Sequence, residues 1–199
     1  KKFVSSLVFM LILLPLSARP VEKDCFPPEM IPDNLFPTIV LETSMGVVEV
    51  ELNRMRAPIT SNNFLRYVLE GEYDGTNFHR VIPGFVVQGA GYTKEIEEKT
   101  LYDNILNKSG NCLKNVTGSI AMARYSDPHT ATRQFYFNMN NNTSLDPNSR
   151  SWGYTVFGQV ISGMEVLEAI SDVETGYSDA LDAEDVPLQP VLLIKASVK

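Results

Sequence analysis

The sequence predicts a mainly β protein: a closed eight-stranded antiparallel β-barrel capped at its ends by two α-helices. Three observations carry this reading. Eight short runs rich in Val, Ile, Thr, Phe and Tyr recur between turn residues. Where a run is long enough to test, as in Gly46–Leu52, apolar and polar residues alternate with the period of a half-buried strand. Only two segments carry helix punctuation. The length of 199 residues, 44% hydrophobic and 21% charged, suits one domain with a sizeable core.

In chain order, Lys1 and Lys2 precede an apolar run over residues 3–16 that meets Ser17-Ala18. This order of charged, apolar and small residues marks a secretory signal peptide at 1–18. The run is short of the ~20 residues that span a bilayer comfortably. Residues 19–36 are proline-rich and aperiodic, and read as an arm ahead of a domain at 37–199. Thr38–Thr43 and Gly46–Leu52 are expected to form a hairpin about Ser44-Met45, with Val48, Val50 and Leu52 on one face of the second strand. Thr60 is expected to cap a helix running to about Glu70, with Pro58 just ahead of it. Phe64, Leu65, Tyr67 and Val68 form its buried side and Gly71 its stop. Further strands are expected at 77–82, 85–88, 118–123, 135–139, 156–160 and 191–198. A second helix at 164–170 follows the Ser162-Gly163 turn. Residues 90–117 and 140–152 read as long loops, which in a compact domain tend to be functional or disordered.

The formal net charge is −7, and cleavage after residue 18 leaves 15 basic against 24 acidic side chains, or −9. That balance disfavours nucleic acid, whose phosphates need a basic patch. The two cysteines and two histidines are far apart in sequence, so no metal or other cofactor is expected. After export, Cys25 and Cys112 are able to pair, and closing so long a loop would stabilise the fold by about 4 kcal/mol. The alternative is two unrelated thiols. Val-Glu-Lys-Asp before Cys25 is too charged for a lipoprotein signal. Asn107, Asn115, Asn141 and Asn142 head glycosylation sequons, which matter only in a eukaryotic secretory pathway.

The stretch at 77–91, NFHRVIPGFVVQGAG, holds one permanent cation (Arg80), one amide (Gln88) and the large apolar Phe78, Phe85 and Val86 between turn signals. No nucleophile stands beside a base. This chemistry suits holding a peptide and not breaking a bond. The stretch closely resembles the signature of the cyclophilins, the peptidyl-prolyl cis-trans isomerases. So do GSIAMARYSDPHTATRQFYF at 118–137, then Leu145-Asp146, then YTVFGQV at 154–160. The resemblance covers about 37–198, with the motifs in the right order. Together with the N-terminal pattern it looks like a periplasmic bacterial member, a monomer acting on proline-containing segments of folding proteins.

Rotation about an X–Pro bond crosses a barrier near ~18–20 kcal/mol because amide resonance is lost at the twisted state. A million-fold acceleration removes roughly 8 kcal/mol. No covalent bond breaks, so what helps is a donor to the pyramidalising prolyl nitrogen, a dry pocket for the ring, and hydrogen bonds that hold the backbone. By the resemblance, Arg80 is that donor, with Gln134 beside it as its orienter. Phe85, Met122, Tyr136 and Leu145 line the proline pocket with Val86, and Gln88 holds substrate backbone. Ala123 and Arg124 meet the residues before proline, and Tyr154 forms a rim. His79 is expected to pack inside and bond a neighbour without a chemical role, and His129 to lie exposed in a loop. A fixed arginine donor implies turnover nearly flat between about pH 6 and 8.

Several positions depart from the family pattern. Ser144 stands where cyclosporin-sensitive members often carry tryptophan, which implies weak cyclosporin binding. Tyr136 replaces phenylalanine, so a hydroxyl must be accommodated at an apolar pocket. Arg133 replaces serine and is expected to alter the charge of the groove. Ala90 interrupts a glycine pair and is expected to strain or re-aim the turn after Gln88. Tyr154 matches the usual histidine. Two alternatives remain open at this point: a proline-recognition module with blunted turnover, and a barrel carrying a small apolar ligand. Large apolar residues at alternate strand positions favour a filled barrel over the latter.

Overall fold

The computed structural model of the protein describes residues 34–199. The expected signal peptide, the arm before residue 34 and Cys25 lie outside the described residues. The chain runs β1 (Thr38–Thr43), β2 (Gly46–Leu52), α1 (Pro58–Leu69), β3 (Thr76–Asn77), β4 (Arg80–Ile82), β5 (Val86–Gly89), β6 (Ser119–Met122), β7 (Phe135–Asn138), β8 (Val156–Ser162), α2 (Met164–Ser171), β9 (Thr175–Ser178), β10 (Ala183–Pro187) and β11 (Leu192–Val198). A 3-10 turn at Thr143–Leu145 precedes β8.

Nine of these strands form one antiparallel sheet in the order β3-β11-β1-β2-β8-β6-β7-β5-β4. Its two end strands, β3 and β4, are separated in sequence only by Phe78 and His79. The run expected as a single strand at 77–82 is therefore broken, and the two ends of the curled sheet are joined through the chain itself. Counted as one broken strand, β3 and β4 reduce the nine to the eight expected. The mainly β architecture with two helices is as the sequence predicts.

The first hairpin shows how the alternation builds the core. Ile39 pairs with Val50 and Leu41 with Val48, and all four are fully buried. Burial of one such side chain contributes about 1.5–3 kcal/mol. Thr43 Oγ1 donates to the Gly46 carbonyl at 2.7 Å and closes the Ser44-Met45 turn. Phe64, Leu65, Tyr67 and Val68 of α1 cover this core, as do Leu167 and Ile170 of α2.

Helix α1 begins earlier than expected, with Ala57 at the cap and Pro58 in the first turn. Thr60 is not the cap but a fully buried residue within the helix. Proline explains the shift, since its fixed φ and missing N–H suit the first helical position. The β9–β10 hairpin has no counterpart in the expectations. Its runs, TGYS and AEDVP, lack the alternation of a half-buried strand, and most of their residues are at least partly exposed.

Strands β5 to β7 and the first half of β8 are buried on both faces. Val87, Ile120, Phe135, Phe137 and Phe157 join the main core. Their neighbours Val86, Ala121, Tyr136 and Val156 form a second, smaller cluster on the opposite face. Phe85, Leu113, Ala123, Leu145 and Tyr154 pack onto it. This outer cluster carries the candidate site.

Candidate active site

Across five neighbouring strands the register aligns Arg80 with Gln88, Gln88 with Tyr136, Tyr136 with Ala121, and Ala121 with Val156. Residues directly opposite on paired strands share a face. The row therefore lies on the outer face, beside the second cluster. A cavity of about 320 Å³ opens there, lined by Arg80, Phe85, Val86, Gln88, Ala123, Arg124, Tyr136, Leu145 and Tyr154. The structure thus brings together nine residues that the sequence singled out, from three strands and three loops.

Two others lie elsewhere. Met122 is 2% exposed and belongs to the main core, so it does not line the cavity as expected. The reason is strand alternation: Ala121 faces the site, so Ile120 and Met122 face inward. Gln134 was expected beside Arg80, but Gln88 stands between them. Gln88 Nε2 donates to Gln134 Oε1 at 3.0 Å, and Arg80 Nη1 reaches Gln88 Oε1 at 3.5 Å, the long limit for a hydrogen bond. Gln134 lies over Gly91, where an added Cβ would sit 2.5 Å from its Nε2. It lines a second cavity of about 360 Å³ that shares Gln88, Ala123 and Arg124 with the first and adds Leu101, Tyr125 and Thr130.

Arg124 separates the two cavities. Its Nη1 donates to the Tyr125 carbonyl at 2.8 Å and its Nη2 to the Trp152 carbonyl at 3.0 Å. Its guanidinium lies 4.5 Å from the centre of the Tyr154 ring, a cation–π contact. The hydroxyl of Tyr136 is accommodated without cost to the apolar lining, because it turns away to Asn115. Burial holds its pKa well above the usual phenol range, so it stays a donor.

Arg133 does not alter the charge of the groove. It is fully buried on the face opposite Gln134. Its Nε donates to the Ala90 carbonyl at 2.6 Å, its Nη1 to the Thr100 carbonyl at 2.7 Å, and its Nη2 to the Glu72 carbonyl. The guanidinium centre lies 5.1 Å from the Tyr67 ring and 5.8 Å from that of Tyr73. Burial lowers its pKa from the ordinary arginine value, opposed by the neighbouring tyrosines and Glu72. Ala90, one of its partners, sits at φ 71° in the left-handed region, so the turn after Gln88 does carry the expected strain.

His79 is buried against Tyr92, with ring centroids 4.9 Å apart. Its Nδ1 makes no hydrogen bond, but the ring bonds Gln134 and the Asn77 backbone, the neighbour contact expected of it. Burial, opposed by Gln134 and Asn77, pushes its pKa down to about 4. His129 is only half-buried and not free in a loop: its Nδ1 accepts the Asn107 amide at 3.1 Å and its ring stacks edge-on against Trp152. Ser144 is exposed in the 3-10 turn. Cys112 is exposed, at φ 67°. Of the four sequon asparagines, Asn107, Asn115 and Asn142 are buried and only Asn141 is exposed.

Sequence reasoning missed the polar support of the site. Asn115 Oδ1 accepts from both Tyr136 and Asn138, while its Nδ2 and backbone N–H donate to Asp146 Oδ1. Asn142 Nδ2 bridges Asn138 Oδ1 and the Phe85 carbonyl, each at 2.8 Å. These asparagines read as sequons and polar loop. The available signal was Tyr136 itself, since a buried hydroxyl needs a partner.

The sequence matches, over residues 38–198, the family described as cyclophilin type peptidyl-prolyl cis-trans isomerase/CLD. It is 45% identical over 164 residues to the peptidyl-prolyl cis-trans isomerase cyp18 of Streptomyces antibioticus, covering 81% of this chain and 98% of the relative. Identity to peptidyl-prolyl cis-trans isomerase A of Dickeya dadantii is 41%, covering 80% and 83%. Identity to peptidyl-prolyl cis-trans isomerase B of Escherichia coli is 39%, covering 80% and 98%. The fold is similar to that of a cyclophilin type isomerase from Cryptosporidium parvum, with a TM-score of 0.65 and 24% identity over 82% of this chain and 98% of that one. With this match and these identities, the chain belongs to the cyclophilin-type peptidyl-prolyl cis-trans isomerases.

Proposed function

We propose that this chain accelerates X–Pro rotation with Arg80 as the donor to the prolyl nitrogen. The proline ring would occupy the cavity over Val86, Tyr136 and Leu145, with Phe85 as a wall. The observation that supports this most directly is the Arg80 guanidinium at the edge of a mainly apolar cavity, across the ladder from Gln88, while the other guanidinium there, Arg124, is held by backbone carbonyls. The prolyl nitrogen regains its lone pair only as the amide twists, so a donor there acts on the transition state and not on the bound ground state. A charge-assisted hydrogen bond contributes about 1.5–3 kcal/mol. The remainder of the barrier reduction comes from the apolar pocket, which favours the less dipolar twisted amide. Gln88 and Gln134 keep Arg80 aimed and meet the substrate backbone, and the second cavity takes residues ahead of proline. The related Cryptosporidium parvum enzyme has been crystallised in the presence of the dipeptide Ala-Pro, a substrate class that fits this cavity.

The test is cis–trans exchange of a short Ala-Pro peptide measured by NMR, with wild-type protein and with Arg80→Ala. A drop of about 10- to 100-fold in a folded variant is expected. Peptide binding without faster exchange in the wild-type protein would make this a proline-recognition module instead.

The finer reading is that the isomerase serves exported, periplasmic proteins as a monomer. Its support is the charged, apolar and small-residue order of residues 1–18. N-terminal sequencing of protein recovered from its compartment is expected to start beyond Ala18, and an intact segment 1–18 would sink it. Under that reading Cys25 and Cys112 form a disulfide, and two free thiols by non-reducing peptide mapping of exported protein would end that part of it.

A further inference from the structure

Two shallow cavities of about 320 and 380 Å³ adjoin each other, sharing Gly110 and Trp152. None of their lining residues lines the site cavity. Together they form a groove whose apolar features are Trp152, 51% exposed, and Ile59, 39% exposed. Its charged side chains are Arg56, Lys108 and Arg150, all exposed, and no carboxylate lines it. On a chain of 24 acids and 17 bases, this local balance runs against the mean.

The cations are also uncommitted. Among the described residues none of the three is ion-paired. Arg56 Nη1 bonds only the Asn111 carbonyl, at 3.3 Å, which leaves its charge uncompensated. The acid next to the groove in sequence, Asp146, is turned towards Asn115 and Lys114. Trp152 is presented firmly: its carbonyl is held by Arg124 and its ring by the edge of His129, 5.2 Å away. An exposed tryptophan in a hollow with arginines around it has the composition of a binding hot spot, and potential complementarity sets what it selects.

We propose that this groove docks an acidic segment of another protein, one carrying carboxylates on either side of an apolar side chain, independently of the X–Pro site. The apolar residue packs on Trp152 and Ile59, and the carboxylates meet Arg56, Lys108 and Arg150. Such a surface would hold a partner while the site cavity remains open to proline.

Trp152 is the only tryptophan in the chain, so its fluorescence reports the groove directly. The full chain is titrated with a short peptide of Asp and Glu around one Leu, lacking proline and aromatic residues. A saturable change in emission is expected, weakened by salt. It is expected to be unchanged by excess Ala-Pro peptide and about tenfold weaker in the double variant Arg56→Glu, Lys108→Glu. That variant is expected to retain wild-type isomerisation, which also shows that it is folded. A response that survives the double variant, that Ala-Pro peptide displaces, or that a lysine-rich peptide reproduces would overturn the proposal. So would no response at all, as when residues 19–33 of this same chain already fill the groove.

Discussion

The hydroxyl of Tyr136 donates to Oδ1 of Asn115 at 2.9 Å, and Asn115 in turn donates through Nδ2 to Asp146 at 3.0 Å. One carboxamide thus ties the floor of the site to the loop that carries Leu145. The hydroxyl that distinguishes this chain from the phenylalanine pattern is therefore an anchor and not an intrusion. Tyr136→Phe is expected to cost about 1 kcal/mol of stability, because Asn115 Oδ1 keeps its second donor, Asn138. Asn115→Ala leaves the hydroxyl, Asn138 and Asp146 each short of a partner, and is expected to cost about 3 kcal/mol. Urea unfolding of both variants checks the order, and equal losses would refute it.

Ala90 holds a backbone conformation that suits glycine, at φ 71°. Ala90→Gly relieves about 1 kcal/mol, net of the greater freedom of glycine when unfolded. The expected result is a rise in melting temperature of roughly 3 °C. A fall would mean that the left-handed turn carries no strain.

Arg133 satisfies three backbone carbonyls from one buried guanidinium. Arg133→Met removes all three donors and is expected to destabilise the fold by about 4 kcal/mol. Arg133→Lys is expected to rescue little of this, since an ammonium group lacks the fork that reaches three acceptors at once. Near-wild-type stability of the lysine variant would show that charge, and not geometry, is what matters there.

Burial holds His79 neutral, with its pKa lowered to about 4 against about 6.5 for the unfolded chain. As pH falls, the unfolded chain takes up this proton first. The stability due to a neutral His79 is therefore full above pH 6.5 and is lost between about 6.5 and 4, amounting to about 3 kcal/mol. His79→Phe keeps the ring and removes the titration. Its unfolding free energy is expected to fall less than that of wild type between pH 7.5 and 4, and parallel curves would exclude the assignment.

Ser144 is exposed beside Leu145 and offers no indole to a bound macrocycle. Weak cyclosporin binding is expected, tightened on the order of tenfold by Ser144→Trp. Nanomolar binding by the wild-type chain in calorimetry would contradict this.

How far the sequence could be read follows from the range of each signal. Arg80, Phe85, Val86 and Gln88 lie within one motif, and their proximity was legible because a two-strand ladder with a short turn puts them there. Gln134 and Met122 were legible as neighbours of the site but not as to side. Whether a residue faces cavity or core depends on strand register, which a one-residue shift inverts. The direction of Arg133 was unreadable for the same reason: adjacent to Gln134, it faces the other way. The Asn115 network was hidden because Asn115 and Asp146 lie 31 residues apart in two aperiodic loops that β7 brings together. The β9–β10 hairpin lacked the apolar alternation by which a strand announces itself.

The single row from Arg80 to Val156 has a consequence for how the activity arises. Its members belong to five strands, and the strand bearing Arg80 pairs at the far end of the sheet from β3, two residues before it in sequence. A nascent chain can therefore pair Arg80 with Gln88 in the β4–β5 hairpin, but it completes the row only once β7, β6 and β8 have joined. A slip of one residue in β5 would present Val87 in place of Gln88 and drive the amide into the barrel. On the proposed mechanism, full rotamase activity would report that β4 to β8 have taken this order.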